Sequence, residues 1–506
     1  MEIQMIRKFA VRAVIGLATL AMPIASIGSV QAIGPGGSYS SGIACVNLGS
    51  ASASIAITFY AADSGTAITT YSVPSAVGPK ANVVLFTPDI PGLPGALQGS
   101  AVVSSDQQVA CTADAQRSDG TPGTNATPAR ASTSESFDTT QAGSTLYVPQ
   151  VAKQLGQAST GFFDSYIAVQ NIESTAVTAT VSYVDRFGVA YPAASESASI
   201  PPQASHYFYQ GANANLPGNL NGTAKIVASD PSKKLAATAV VYNDGTTISK
   251  SQMSAYNAVS TGANKLTIPQ WVRNYYGFQS GANILNVGAT TTTVTTTMLI
   301  NGSTFTRIDT IGPNKIAQLY TPSMAVLGPV DSFAPGSRTG SAVMQAAPGG
   351  TIVANVNLRN DGACVGATAI ANCGAIPANT VGAGTALNAF ADGTATTKAV
   401  ISRFPKTLGG ATVNGGFTIV NSTNVAGTCN MEFVGNTIPL SLTNIVLPAA
   451  GVINRYAGSM PNVTAGSQNP VNIVCTQPVF VSVNSRADLV SYAGDSNTSW
   501  NAINIP

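Results

Sequence analysis

The side chains able to do chemistry are few, and their spacing argues against an active site. His206 is the only histidine, set in Ser205-His206-Tyr207-Phe208-Tyr209. An imidazole there could serve as a general base or a metal ligand. No Gly-x-Ser-x-Gly elbow supplies a nucleophile for it to activate, so it reads as a strand residue among aromatics rather than as a triad member. Carboxylates are sparse, with 21 Asp and Glu in 506 residues. Glycoside hydrolysis needs two of them on one cleft. Here Asp119, Asp244, Asp361 and Asp488 recur once per about 120 residues, the mark of a repeated structural element. An Asp-Gly pair after a strand makes a turn, and these loops lack the dense ligand spacing of a calcium site. No catalytic residue, no metal and no cofactor is expected.

The six cysteines, Cys45, Cys111, Cys364, Cys373, Cys429 and Cys475, form no Cys-x-x-Cys or Cys/His cluster. An even count without metal spacing reads as disulfides in an exported chain. Cys45 shares a strand face with Ile43, and Cys111 shares one with Val109 and Ala113, so these two should meet inside. Cys429 and Cys475 also lie on apolar alternating faces. Cys364 and Cys373 remain, bracketing a small loop. The aromatics Trp271, Tyr275, Tyr276 and Phe278 could stack on sugars or glue one module to the next; exposure separates the two. Asn125, Asn221, Asn301, Asn421, Asn462 and Asn497 sit in Asn-x-Ser/Thr patterns, expected by chance in a chain this rich in these residues.

The compartment follows from the first residues. Arg7, Lys8 and Arg12 precede an apolar stretch from Ala13 to about Ile27, and Val30-Gln31-Ala32 offers a cleavage site. We expect residues 1–32 to be a signal peptide, and no membrane span in the mature chain. Charged residues make up only 9% of the sequence, and the net charge is +2. Nucleic acid and anionic membrane both need a basic footprint that is missing here.

The elements that position these residues are repeated. Strands end in asparagine at Asn47, Asn171, Asn286 and Asn421. Each is followed by a strand with period-two alternation, such as Val177, Ala179, Val181 and Tyr183, which implies one buried and one wet face. Turns such as Asn301-Gly302 close the hairpins. A Pro-Gly turn then leads into Gly99-Ser100-Ala101, Gly222-Thr223-Ala224 or Gly340-Ser341-Ala342. Helix signals are nearly absent. The expected fold is all-β: four tandem immunoglobulin-like β-sandwich modules over 33–156, 157–277, 278–409 and 410–506. Short links such as Leu146 to Val151 and Leu266 to Trp271 imply that neighbouring modules touch, as in a stiff rod or tight array. Ser118 to Thr145 should be a long exposed loop.

The strand Val169-Gln170-Asn171 and the junction Ile268-Pro269 with Arg273-Asn274-Tyr275-Tyr276-Gly277-Phe278 resemble tandem modules of large secreted bacterial surface proteins. Those modules carry a Leu-Pro, Lys-Asn-Tyr-Tyr-Gly-Trp junction and a Val-Gln-Asn strand. The resemblance implies a secreted, β-rich role at the cell surface and supplies no catalytic residues. We therefore expect a non-enzymatic extracellular structural protein, a subunit of a surface layer, sheath or filament. The alternative is an adhesin or carbohydrate-binding protein using its loops or link aromatics. Expected partners are further copies of the chain, other cell-surface proteins or glycans. The tail Ile503-Asn504-Ile505-Pro506 either offers an apolar edge to another copy or completes the last sheet.

Overall fold

A computed structural model describes residues 12–17, 37–95, 97–117, 130–137, 141–157, 161–244, 251–275, 278–328, 338–360, 383–409, 413–435, 440–487 and 498–505. It is all-β: among the described residues only strands and single turns of 3-10 helix occur. The alternation seen in the sequence is realised directly. Val177, Ala179, Val181 and Tyr183 are buried in one core while Thr178, Thr180 and Ser182 face outward. That core is a sandwich of two antiparallel sheets. One sheet runs Glu196–Ile200, Val177–Asp185, Leu220–Ala228, Thr145–Lys153. In the other, Gly161–Asn171 lies between Ser205–Tyr209 and Leu235–Asp244, and Ser251–Asn257 pairs with the far side of Leu235–Asp244.

The same order recurs around three further hydrophobic cores. In the first, Ala67–Ser72, Ile55–Ala61 and Gly99–Ser105 face Asn82–Phe86, Tyr39–Asn47, Val109–Arg117 and Ala131–Glu135. In the fourth, one strand of 21 residues, Ser467–Ala487, serves both sheets: its first part pairs with Gly427–Phe433 and Thr396–Lys406, its second with Val413–Asn421. The link Thr145–Lys153 contributes Leu146, Val148, Val151 and Ala152 to the second core. It is therefore a strand of the sandwich that follows it, not a connector trailing the first. Lys265–Tyr275 does the same for the third core through Leu266, Ile268 and Trp271. Arg12–Leu17, within the segment expected to be a leader, pairs with Gly99–Ser105 in the corresponding place.

The recurring asparagines have one physical cause. Each is buried at a strand end and ties down the following corner. Asn171 Nδ2 donates to Thr175 O (2.7 Å) and Ile200 O (2.9 Å), while its Oδ1 accepts from Glu173 N (2.9 Å). Asn286 repeats this with Thr290 O (2.8 Å), Ile311 O (2.8 Å) and Gly288 N (2.9 Å). Asn47 and Asn421 do likewise. Only an amide offers two donors and an acceptor in this compass. The recurring glycine that opens the next strand is equally specific. A Cβ on Gly340 would lie 1.7 Å from Leu299 O, and one on Gly99 would lie 1.9 Å from Tyr60 O.

Two expected disulfides are present. Cys45 and Cys111 are direct cross-strand partners, as are Cys429 and Cys475. The place of the first pair is taken by Val169 opposite Ala237 in the second core and by Ile284 opposite Ala354 in the third. Cys364 and Cys373 lie outside the described residues, as do cleavage after Ala32, Asn125 and Asn497, and the side chains of Asp119, Asp244, Asp361 and Asp488.

Of the two expected arrangements, the cores take the tight array and not the rod. The strands Ala131–Glu135, Ser251–Asn257, Ala383–Asn388 and Thr498–Asn501, one from each core, touch in a closed circuit, the last returning to the first. Asparagine amides stitch this hub. Asn257 Nδ2 donates to Glu135 O (3.0 Å), Asn388 Nδ2 to Asn257 O (2.8 Å) and Asn501 Nδ2 to Asn388 O (3.1 Å). Closure comes from Asn501 N, which donates to the Glu135 carboxylate. Part of the stretch expected to be a long exposed loop is thus a hub strand, with Ser132, Thr133 and Ser134 buried and Phe137 buried beyond it.

Outer contacts close the circuit as well. Asn82 Nδ2 donates to Ser402 O (2.8 Å) and Gln468 O (3.0 Å), joining the first core to the fourth. Arg403 pairs with Asp114, and Lys80 with Glu432 at 2.9 Å. The tail Ile503–Ile505 pairs with Thr396–Lys406, and Ile503 and Ile505 pack on Val46, Ala110 and Val400. Of the two expectations for the tail, the structure takes the second.

Candidate functional site

The link aromatics separate into two groups. Trp271 is fully buried in the third core, where it packs with Ile268 and Met298. It is a core residue of the sandwich and offers no face to a ligand. The side chain of Tyr276 lies outside the described residues. Tyr275 and Phe278, cross-strand partners of Lys265–Tyr275 and Phe278–Asn286, are half-buried and line a cleft.

This cleft, of about 460 Å³, lies between strands of the third core and strands of the fourth. Tyr275, Phe278 and Leu358 form part of the third-core side, and Phe417 and Tyr456 part of the fourth-core side. Amides converge on it: Gln270, Asn414, Asn454 and Asn484. Asn484 Nδ2 donates across the junction to Gln270 Oε1 at 3.4 Å. Thr418 Oγ1 donates to Asn454 Oδ1 at 2.7 Å, and Arg455 Nη1 donates to Asn454 O at 2.9 Å. The Arg486 guanidinium lies 5.9 Å from the Tyr456 ring centroid. Burial holds the Arg455 guanidinium below its ordinary pKa. Arg455, Tyr456, Asn454 and Asn484 carried no signal in the sequence: each sits on a strand whose facing partner is contributed by a distant part of the chain.

The other chemically capable residues have structural positions. His206 Nδ1 lies 2.7 Å from Asp63 Oδ1, and the imidazole meets Phe208 edge-on at 4.6 Å. Asp63 N donates to Ser205 O at 2.9 Å, so the pair belongs to the joint between the first and second cores. Tyr39, Tyr166, Tyr207 and Tyr242 are buried at the same joint. Burial raises the phenol pKa of Tyr166 and Tyr207 well above its usual range. Glu135 is the one carboxyl in the hub circuit. Burial pushes its pKa up to about 7, against the opposing effect of the Asn501 amide. Among the described residues no group of three or more His, Cys, Asp or Glu could hold a metal ion. No described helix is long and apolar enough to cross a membrane.

No protein-family model matches the chain, and no curated protein matches it. Among solved structures, it is similar to a tetra-tandem repeat in the extending region of a large adhesion protein, at 11% identity. That likeness covers 90% of this chain and 93% of the other, with a TM-score of 0.10. A structure of a 1.5-MDa bacterial ice-binding adhesin matches at 14% identity over 71% of this chain and 96% of its own, TM-score 0.10. The Thermotoga maritima 1070 structure matches at 8% identity over 23% of this chain and 92% of its own, TM-score 0.19. Likenesses at this level do not say what the chain does.

Proposed function

We propose that this protein is a secreted, non-enzymatic component of the cell surface, built as four β-sandwich repeats closed on one another. The observation that carries this is the hub. Equivalent strands from four cores meet in one circuit, each asparagine amide donating to the preceding strand. An arrangement of this kind holds four sandwiches rigidly in a fixed relation, which is what a structural or adhesive subunit requires. The buried cross-strand disulfides support export to an oxidising compartment. The repeats begin at the link strands, near Thr145, Lys265 and Thr396, rather than after them, because those strands pack into the following core.

Export and processing are tested by terminal sequencing of the protein recovered from cells, with cleavage after Ala32 expected. Immunogold electron microscopy and fractionation should place it at the cell surface. A cytoplasmic location with an intact leader would reject the proposal. A regular array would favour a layer or sheath, and dispersed copies would favour an adhesin. The second role has its own support: the cleft lined by Tyr275 and Phe278 combines aromatic faces with amides, as saccharide recognition requires.

A further inference from the structure

We infer that the cleft between the third and fourth cores binds an acidic saccharide, a chain of pyranose rings bearing carboxylates. This rests on the adhesive reading above and specifies its ligand.

Three features of the cleft lead there. Its volume, about 460 Å³, is that of a small-ligand pocket rather than of a protein interface. Its aromatic residues stand on both sides, Tyr275 and Phe278 against Tyr456. Such rings present flat apolar faces to the C–H faces of a sugar. Between them lie Gln270, Asn414, Asn454 and Asn484. A primary amide carries donor and acceptor side by side, which matches a pair of neighbouring hydroxyls. Ser459 and Thr339 add hydroxyls to the same lining.

Charge selects among saccharides. Arg455 and Arg486 line the cleft, and no Asp or Glu is among its lining residues. Arg486 shares the face of its strand with Asn484, and its guanidinium lies 5.9 Å from the Tyr456 ring centroid, within the aromatic lining. A ligand carboxylate would accept charge-assisted hydrogen bonds from a guanidinium in this setting. A neutral oligosaccharide would leave the cation as it is, and a basic one would be repelled.

The test uses the full exported chain and isothermal titration. Probes are a galacturonate tetrasaccharide, its methyl ester and a hyaluronan tetrasaccharide. Both acidic probes should bind, and binding should weaken as salt is raised. Esterification, which keeps the rings and removes the charge, should weaken binding about tenfold or more. Arg486→Gln and Phe278→Ala should each weaken it by about the same factor, with unchanged far-UV circular dichroism. Phe187→Ala removes an aromatic that is 63% exposed and is not among the residues lining the cleft, and should change nothing. The inference is overturned if neither acidic probe binds the folded protein, if the ester binds as well as the acid, or if Arg486→Gln and Phe278→Ala bind like wild type. Ester binding equal to acid would leave the adhesive reading standing. No binding by any probe, with the protein still at the surface, would leave only the structural one.

Discussion

Glu135→Gln should stabilise the protein above neutral pH and alter its pH dependence in a defined direction. In the hub the Glu135 carboxylate accepts from Asn501 N while burial disfavours its charge. Its pKa rises from 4.5 to about 7. A raised carboxyl pKa means that the folded chain holds the proton more tightly than the unfolded chain. This group therefore contributes stability that is fully present below about pH 4.5 and is lost as pH rises through about 7. At about 1.4 kcal/mol per pH unit, the contribution is about 3 kcal/mol. Glutamine keeps an oxygen acceptor for the Asn501 amide and carries no charge to desolvate. The variant should be more stable than wild type by up to about 3 kcal/mol at pH 8 and nearly equal to it at pH 4.5. Trp500 lies in the hub strand beside Asn501, and the chain has only one other tryptophan, Trp271. Urea unfolding followed by fluorescence in a Trp271→Phe background therefore reports on the hub. A difference between variant and wild type that does not change from pH 4.5 to 8 would refute this account of Glu135.

Three other perturbations test the remaining levels of the structure. Val181→Asp places an unpaired charge in the second core and should cost at least about 4 kcal/mol, while Thr180→Asp on the outer face should cost less than about 1, both by chemical denaturation. Gly340→Ala drives a methyl group into Leu299 O and should destabilise by about 1–3 kcal/mol in thermal melts; a neutral outcome would mean that the strands separate freely there. The precursor that still carries residues 1–32 retains the strand Arg12–Leu17, so its Gly99–Ser105 amides should exchange hydrogen more slowly than those of the protein cleaved after Ala32. Equal exchange would show that this strand does not protect that edge.

Much of the fold was legible in the chain because it is encoded locally. Alternation around Val181 fixes which face is buried, since successive side chains point to opposite sides of a strand. The same rule put Cys45 opposite Cys111 and Cys429 opposite Cys475. The asparagine at each strand end recurred because an amide's hydrogen-bonding pattern is needed at every corner. The hub and the cleft were not legible. Trp271 stood among Tyr275 and Phe278 in the sequence, yet its strand phase sends it into the third core while they border the cleft. Glu135 looked like part of a polar loop, and its partners Asn257 and Asn501 lie 122 and 366 residues away. Contacts such as Asn82 with Ser402, or Gln270 with Asn484, are single hydrogen bonds between distant segments. They follow no period that a sequence could display, and only the closed packing of the four cores decides them.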